Sequence, residues 1–167
     1  MPANTQAAST AAKRKRTETA NDAVALLKAD HAEVKAMFEQ YEGLGKRALK
    51  AKKTLATKIC HELIKHTTAE EEIFYPAVRA DAEDSEDLVD EATVEHASAK
   101  DLIAQILSME PGDDLYDAKV TVLSEQIEHH VKEEEQEMFP KARASDLDLV
   151  AMAVAIAERK KQVVLPG

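Results

Sequence analysis

A chain of 167 residues with a formal net charge of −10 is a poor candidate for general nucleic-acid binding, because a phosphate backbone attracts basic surfaces. Its length supports one domain with tails and is too short for two ordinary domains. Only four glycines and five prolines, amid abundant Ala, Glu, Lys and Leu, favour an all-helical protein over a sheet.

The single cysteine, Cys60, excludes an intrachain disulfide and suits a reducing compartment. No stretch can span a bilayer: the longest apolar run, Leu149 to Ala157, is less than half of the ~20 residues required. The N-terminus lacks the apolar core of a secretory signal. A cytoplasmic protein without a transmembrane segment is the expectation.

In chain order, residues 1–20 are polar and Ala-rich with the basic run Lys13-Arg14-Lys15-Arg16, and read as a disordered arm. Order is expected to begin at Asn21 or Asp22, either of which makes a good N-cap. A first helical stripe follows in Val24, Leu27, His31, Val34, Phe38 and Tyr41, advancing by three and four residues. The second stripe is Leu55, Ile59, Leu63, His66, Glu70, Ile73 and Ala77. A third runs Val89, Ala92, His96, Ala99, Ile103 and Ile106. The fourth runs Tyr116, Val120, Leu123, Ile127, His130, Glu134 and Met138. Breaks fall at Gly43 to Gly45, at Asp81 to Asp87 and at Pro111-Gly112, where an up-down-up-down four-helix bundle needs them.

A bundle over residues 21–143 is therefore expected, followed by a short C-terminal helix and tail over 144–167. Ser145 with Asp148 resembles a capping box for that last helix, which would cover a flank or an end of the bundle or join subunits. Monomer and dimer both remain open. Pro76 and Pro140 either kink their helices or mark their ends.

Six polar groups fall in the apolar stripes, and they do so as a repeat. His66-Thr67-Thr68-Ala69-Glu70 and His130-Val131-Lys132-Glu133-Glu134 each place a His four residues before a Glu and ten before a Pro. A lone His stands upstream of each: His31 is 35 residues before His66, and His96 is 34 before His130. Residues at i and i+4 share a helix face at roughly 5–6 Å between Cβ atoms, so each pair can grip one centre. An ionised carboxylate left unpaired in an apolar interior costs on the order of several kcal/mol. A divalent cation would remove that cost, and Glu70 and Glu134 placed between two cations would bridge them. His61 and His129 lie on other faces, at the surface or behind a ligand, and Glu71, Glu72, Glu133, Glu135 and Glu137 read as solvated acids, of which one could stand behind a ligand. By helical position none of Tyr41, Tyr75 and Tyr116 is placed at the metal level. Phe38, Phe74 and Met138 are expected to line the hydrophobic wall. Imidazole and carboxylate ligation suits iron, manganese or zinc alike.

These paired motifs, ending in Phe-Tyr-Pro or Phe-Pro, resemble those of hemerythrin-like proteins of the HHE cation-binding class over about residues 22 to 143. The resemblance implies a hemerythrin-like bundle with two iron ions per chain and an oxo or hydroxo bridge. It would bind or sense O2, or handle peroxide or NO. Carried over by residue, His31, His66 and Glu70 would serve one half of the centre and His96, His130 and Glu134 the other. Oxygen-carrying members have a further His four residues after the third-helix His, where this chain has Lys100, and an Asp where it has Glu134. These differences point away from a dedicated oxygen carrier. An iron-handling or iron-sensing bundle, and a zinc- or manganese-loaded structural bundle without redox activity, are the alternative readings.

Overall fold

The computed structural model describes residues 21–167, so the basic run at residues 13–16 lies outside the described residues. Among these residues the chain forms five helical rods and no strand, as expected from its composition. Rod one is α1 (Ala23–Glu42). Rod two is α2 (Leu49–Ala69), which continues through a π-turn (Glu70–Phe74) into α3 (Tyr75–Asp81). Rod three is α4 (Glu86–Leu107). Rod four is α5 (Tyr116–Glu133), continuing through a second π-turn (Glu134–Met138) into α6 (Phe139–Ala144). The fifth is α7 (Leu149–Gln162). The long rods pack as α1 on α2, α4 on α5, α2 on α4 and α1 on α5, closing a four-membered bundle.

Capping explains where the rods start. Asp22 accepts the backbone N–H of Ala25 at 2.9 Å and opens α1. The first break divides the basic stretch, with Lys46 and Arg47 in the turn while Lys50, Lys52 and Lys53 belong to α2. In the third break Gly112 adopts φ 101°, a left-handed conformation that costs glycine little. The C-terminal helix begins four residues later than the expected Ser145. Asp148 alone caps it, accepting from Ala151 at 3.0 Å, while the Ser145 hydroxyl donates back to the Ala142 carbonyl at the end of α6. This helix covers the flank formed by α1 and α2, with Ala153 and Ile156 buried.

Neither proline ends its rod. A proline lacks the N–H of a helical bond, and its ring crowds the carbonyl four residues earlier. Here the chain inserts a π-turn just before each proline, where the amide of Tyr75 bonds the Glu70 carbonyl and that of Phe139 bonds the Glu134 carbonyl. Such i→i+5 turns inside α-helices occur often at functional sites. They also shift the register. Beyond Glu70 the buried residues are Phe74, Tyr75 and Val78, in place of the expected Ile73 and Ala77, which are only half-buried.

The apolar core comes in two clusters. One holds Leu27, Phe74, Val78, Met138, Phe139 and Ile156. The other holds Val34, Phe38, Ile59, Leu63, Ile103, Leu123 and Ile127. In each rod the site residues interrupt the stripe between these clusters, so the polar groups form a layer sandwiched by hydrocarbon. Cys60 belongs to the second cluster, and burial pushes its thiol up to about 12. At the end of the bundle away from the polar layer, buried Lys52 donates to Asp117 at 2.8 Å, and the Tyr41 hydroxyl donates to the same carboxylate at 2.6 Å.

Candidate metal centre

All six expected groups are buried in one place: His31 is 7% exposed, His66 4%, His96 1%, His130 5%, Glu134 2% and Glu70 0%. Each half of the repeat brings two imidazole Nε2 atoms face to face. The His31 and His66 Nε2 atoms are 3.2 Å apart, and those of His96 and His130 are 3.1 Å apart. Glu70 reaches both halves, with Oε1 3.0 Å from His66 Nε2 and Oε2 3.3 Å from His96 Nε2. Glu134 does likewise, its Oε2 lying 3.2 Å from His31 Nε2 and 3.5 Å from His130 Nε2. Both carboxylates are thus within reach of both halves, as expected of groups placed to bridge two cations.

The outer nitrogens show why the inner ones converge. Every Nδ1 meets a carboxylate: His66 meets Asp30 at 3.0 Å, His130 meets Glu95 at 2.6 Å, His31 meets Glu135 at 2.9 Å and His96 meets Glu71 at 2.9 Å. An ionised carboxylate only accepts, so each Nδ1 carries a proton, and an imidazole with no second proton turns the lone pair of Nε2 inward. Two lone pairs about 3 Å apart repel unless a cation or a proton lies between them. The acids obey the same two-fold pattern as the ligands. The residue before each lone His, Asp30 or Glu95, holds the paired His of the following rod. The residue after each shared Glu, Glu71 or Glu135, holds the lone His of the other half.

None of these four acids is marked by helical period. Asp30 and Glu95 share one local signal, an acid immediately before each lone His. Glu71 and Glu135, expected in solvent, are half-buried, and each holds an imidazole. Lys100, where oxygen carriers have histidine, donates to Glu71 Oε2 at 2.6 Å and so secures the carboxylate behind His96. On the other flank Lys160 of α7 donates to Asp30 at 2.6 Å and secures the carboxylate behind His66.

Tyr75 requires a correction. Its hydroxyl oxygen lies 3.1 Å from Glu134 Oε1, 3.3 Å from Glu70 Oε2, 3.1 Å from His96 Nε2 and 3.3 Å from His130 Nε2. A phenol has one proton to donate, and four acceptors crowd this one. The helical period had placed Tyr75 elsewhere, since five residues at about 100° each leave it about 140° from Glu70. The π-turn takes up the extra residue and returns the side chain to the site. Tyr41 and Tyr116 lie in the second apolar cluster, clear of this layer. Phe38 also belongs to that cluster, while Phe74 packs edge-on against Phe139 at 5.6 Å, and Phe139 stacks on His31 at 5.7 Å.

Charge is balanced by protons when no cation is bound. Burial by itself would lower the His66 imidazole, but the Glu70 charge and the hydrogen bond to Asp30 lift it to about 10. Burial would lower His130 too, and its bonds to Glu134 and Glu95 lift it to about 10. Burial raises the Tyr75 phenol well above its usual range, and the Glu134 and Glu70 charges push the same way. With the Nε2 atoms unprotonated, Glu70 Oε1 and Glu134 Oε2 are buried without a hydrogen-bond donor; a proton on His66 Nε2, 3.0 Å from Glu70 Oε1, or on His31 Nε2, 3.2 Å from Glu134 Oε2, is what would serve them in place of a cation. Orphaned carboxylate oxygens in a dry layer carry a desolvation cost of several kcal/mol per ion, of which a divalent cation would relieve most. The residues fit metal: His31, His66, Glu70 and Glu134 can converge on one ion, and Glu70, His96 and His130 on another. Beside the four imidazoles lies a cavity of about 10 Å³, walled by Val34, Leu63, Ile127 and Val131, which is room for one water-sized molecule.

No described helix is long and apolar enough to cross a membrane. No curated protein matches the chain. A solved structure of a hemerythrin HHE cation binding domain-containing protein from Mycobacterium kansasii has the same fold, with a TM-score of 0.71 at 23% identity, covering 84% of this chain and 86% of that one. The model of the hemerythrin HHE cation binding domain matches residues 22–142. With its bundle, its paired His and Glu motifs and that match over most of its length, the chain belongs to the hemerythrin HHE cation-binding family.

Proposed function

We propose that this chain holds two iron ions between His31, His66, His96, His130, Glu70 and Glu134, with the two glutamates shared and Tyr75 within reach of the His96 and His130 half. The observation that carries the reading is the inward convergence of four imidazole lone pairs onto two carboxylates whose buried oxygens lack other partners. Iron in such a site supplies redox chemistry toward O2, peroxide or NO, and the small apolar cavity beside the imidazoles is the place for a ligand of that size.

The chain's own residues define the rest. Val34, Leu63, Ile127 and Val131 keep bulk water from the cavity, which limits the protons available there. Asp30, Glu71, Glu95 and Glu135 fix the tautomers and raise the basicity of the imidazoles. With the imidazoles engaged by metal, the Tyr75 hydroxyl would be the nearest remaining protein proton donor to the shared carboxylates. Its presence favours handling of peroxide or NO, or sensing, over simple reversible carriage, because a proton donor at the centre helps reduced oxygen species leave as hydroxide or water.

Metal analysis of aerobically purified protein tests the reading. Two iron ions per chain, with near-ultraviolet and visible absorption that changes on adding peroxide or NO, is the expected result. Zinc or manganese at two per chain, with no such bands, would leave a structural bundle instead.

A further inference from the structure

Outside the buried layer one more group of ligand-type side chains converges. Glu95, His129 and Glu133 each offer an atom within 4.8 Å of the others. His129 Nε2 lies 3.3 Å from Glu133 Oε1 and 3.5 Å from Glu95 Oε1. The His129 side chain is 63% exposed, against 23% for Glu95 and 32% for Glu133. Among the described residues no lysine or arginine pairs with Glu95 or Glu133, whereas Asp30 and Glu71 are held by Lys160 and Lys100. This corner therefore keeps two carboxylates beside an imidazole with no lysine or arginine on either.

Two features connect it to the interior. Glu95 faces both ways, with Oε1 toward His129 and Oε2 bonded at 2.6 Å to Nδ1 of buried His130. A narrow cavity of about 10 Å³ is lined by Glu95 and Glu133 together with His130 and Glu134, between walls of Leu88, Ala92 and Met138. Glu134 is 2% exposed, and its Oε2 has no hydrogen-bond partner.

We propose that Glu95, His129 and Glu133 form a transit site for a divalent transition-metal ion on its way to the buried pair. The proposal rests on the reading that the six buried groups hold metal. Imidazole with two carboxylates is the donor set for such an ion. One exposed and two half-buried ligands hold it loosely and replace only part of its water, so the cost of dehydration is met in two smaller steps. Glu95 then lies between the surface ligand His129 and the buried His130, and Glu134 receives the ion from within. Elsewhere a lysine neutralises the acid behind His66 and the acid behind His96, and among the described residues Glu135, behind His31, joins no group of three ligand-type side chains.

The test uses the full-length chain and Co²⁺ or Zn²⁺ as probe. Uptake into chelator-stripped protein, and release from loaded protein to a colorimetric chelator, are followed for wild type, His129→Ala, Glu133→Gln and the control His61→Ala. Loss of local attraction and of a stepping site should slow both uptake and release on the order of ten-fold in the first two variants, with the final content still two ions per chain and His61→Ala unchanged. Slowing in both directions at constant content marks a passage, since a ligand of the buried centre would change the content. Rates equal to wild type in His129→Ala and Glu133→Gln, with two ions still bound, overturn the transit site and leave the buried centre standing. Failure of the wild type to hold two ions overturns the reading of the centre itself.

Discussion

Tyr75 and Phe139 occupy equivalent places in the two halves of the repeat, each five residues after a shared glutamate and each just before a proline, yet only Tyr75 brings a hydroxyl into the site. Its oxygen lies 3.1 Å from His96 Nε2, whereas the Phe139 ring stacks on His31. A two-fold scaffold thereby carries two chemically different halves.

Removing that hydroxyl makes the halves alike. Tyr75→Phe is expected to keep two ions per chain, because the histidines and glutamates remain. If the phenol binds ferric iron, wild-type protein will show a phenolate-to-iron charge-transfer band that Tyr75→Phe abolishes and Tyr41→Phe retains. Visible absorption with resonance Raman spectroscopy decides this, and a band that survives in Tyr75→Phe rules out the phenol as a ligand.

Shared carboxylates are the second target. Glu70→Ala or Glu134→Ala should reduce iron content below two per chain, since each carboxylate contacts both halves. Glu72→Ala should leave the content at two, because Glu72 points outward to Arg159. Retention of a full pair in both glutamate variants would show that the ligands are assigned wrongly.

A third expectation concerns the acids behind the imidazoles. Losing such a partner typically costs about 10–100-fold in metal affinity. Asp30→Asn should fall in that range, as it replaces the charged acceptor that orients His66 with a neutral amide whose NH2 can turn toward the ring instead. Lys160→Met should cost less, because Asp30 remains in place to accept from His66. Competition titrations against a chelator give both constants; an Asp30→Asn affinity equal to wild type would refute the orienting role.

Metal uptake should release protons. With His66 and His130 held at about 10 in the metal-free chain, both imidazoles are charged at neutral pH, and a cation must displace about two protons from them. An indicator dye in weakly buffered solution counts these, and a count of zero would contradict the shifts. The sign follows from linkage. Folded values raised above the ordinary 6.5 stabilise the metal-free fold fully below about 6.5, and that contribution disappears as pH rises through about 10. Metal affinity runs the other way and strengthens with rising pH.

The helical bundle and the six buried histidines and glutamates were legible from the order of residues alone. Their legibility has a simple cause: a helix repeats every 3.6 residues, and a polar side chain in an apolar stripe stands out against that period. Stripes one, three and four are buried throughout as the period requires. What defeated the period in the second stripe was the π-turn after Glu70, whose extra residue moved burial from Ile73 and Ala77 to Phe74 and Val78 and delivered Tyr75 to the centre. Sharing of both glutamates across the halves also depended on the tertiary fold, because bridging is a distance between rods and leaves no trace within one. The same holds for Asp30, Glu71, Glu95 and Glu135. Local order shows an acid beside a ligand, but only the packing of neighbouring rods decides which imidazole it holds.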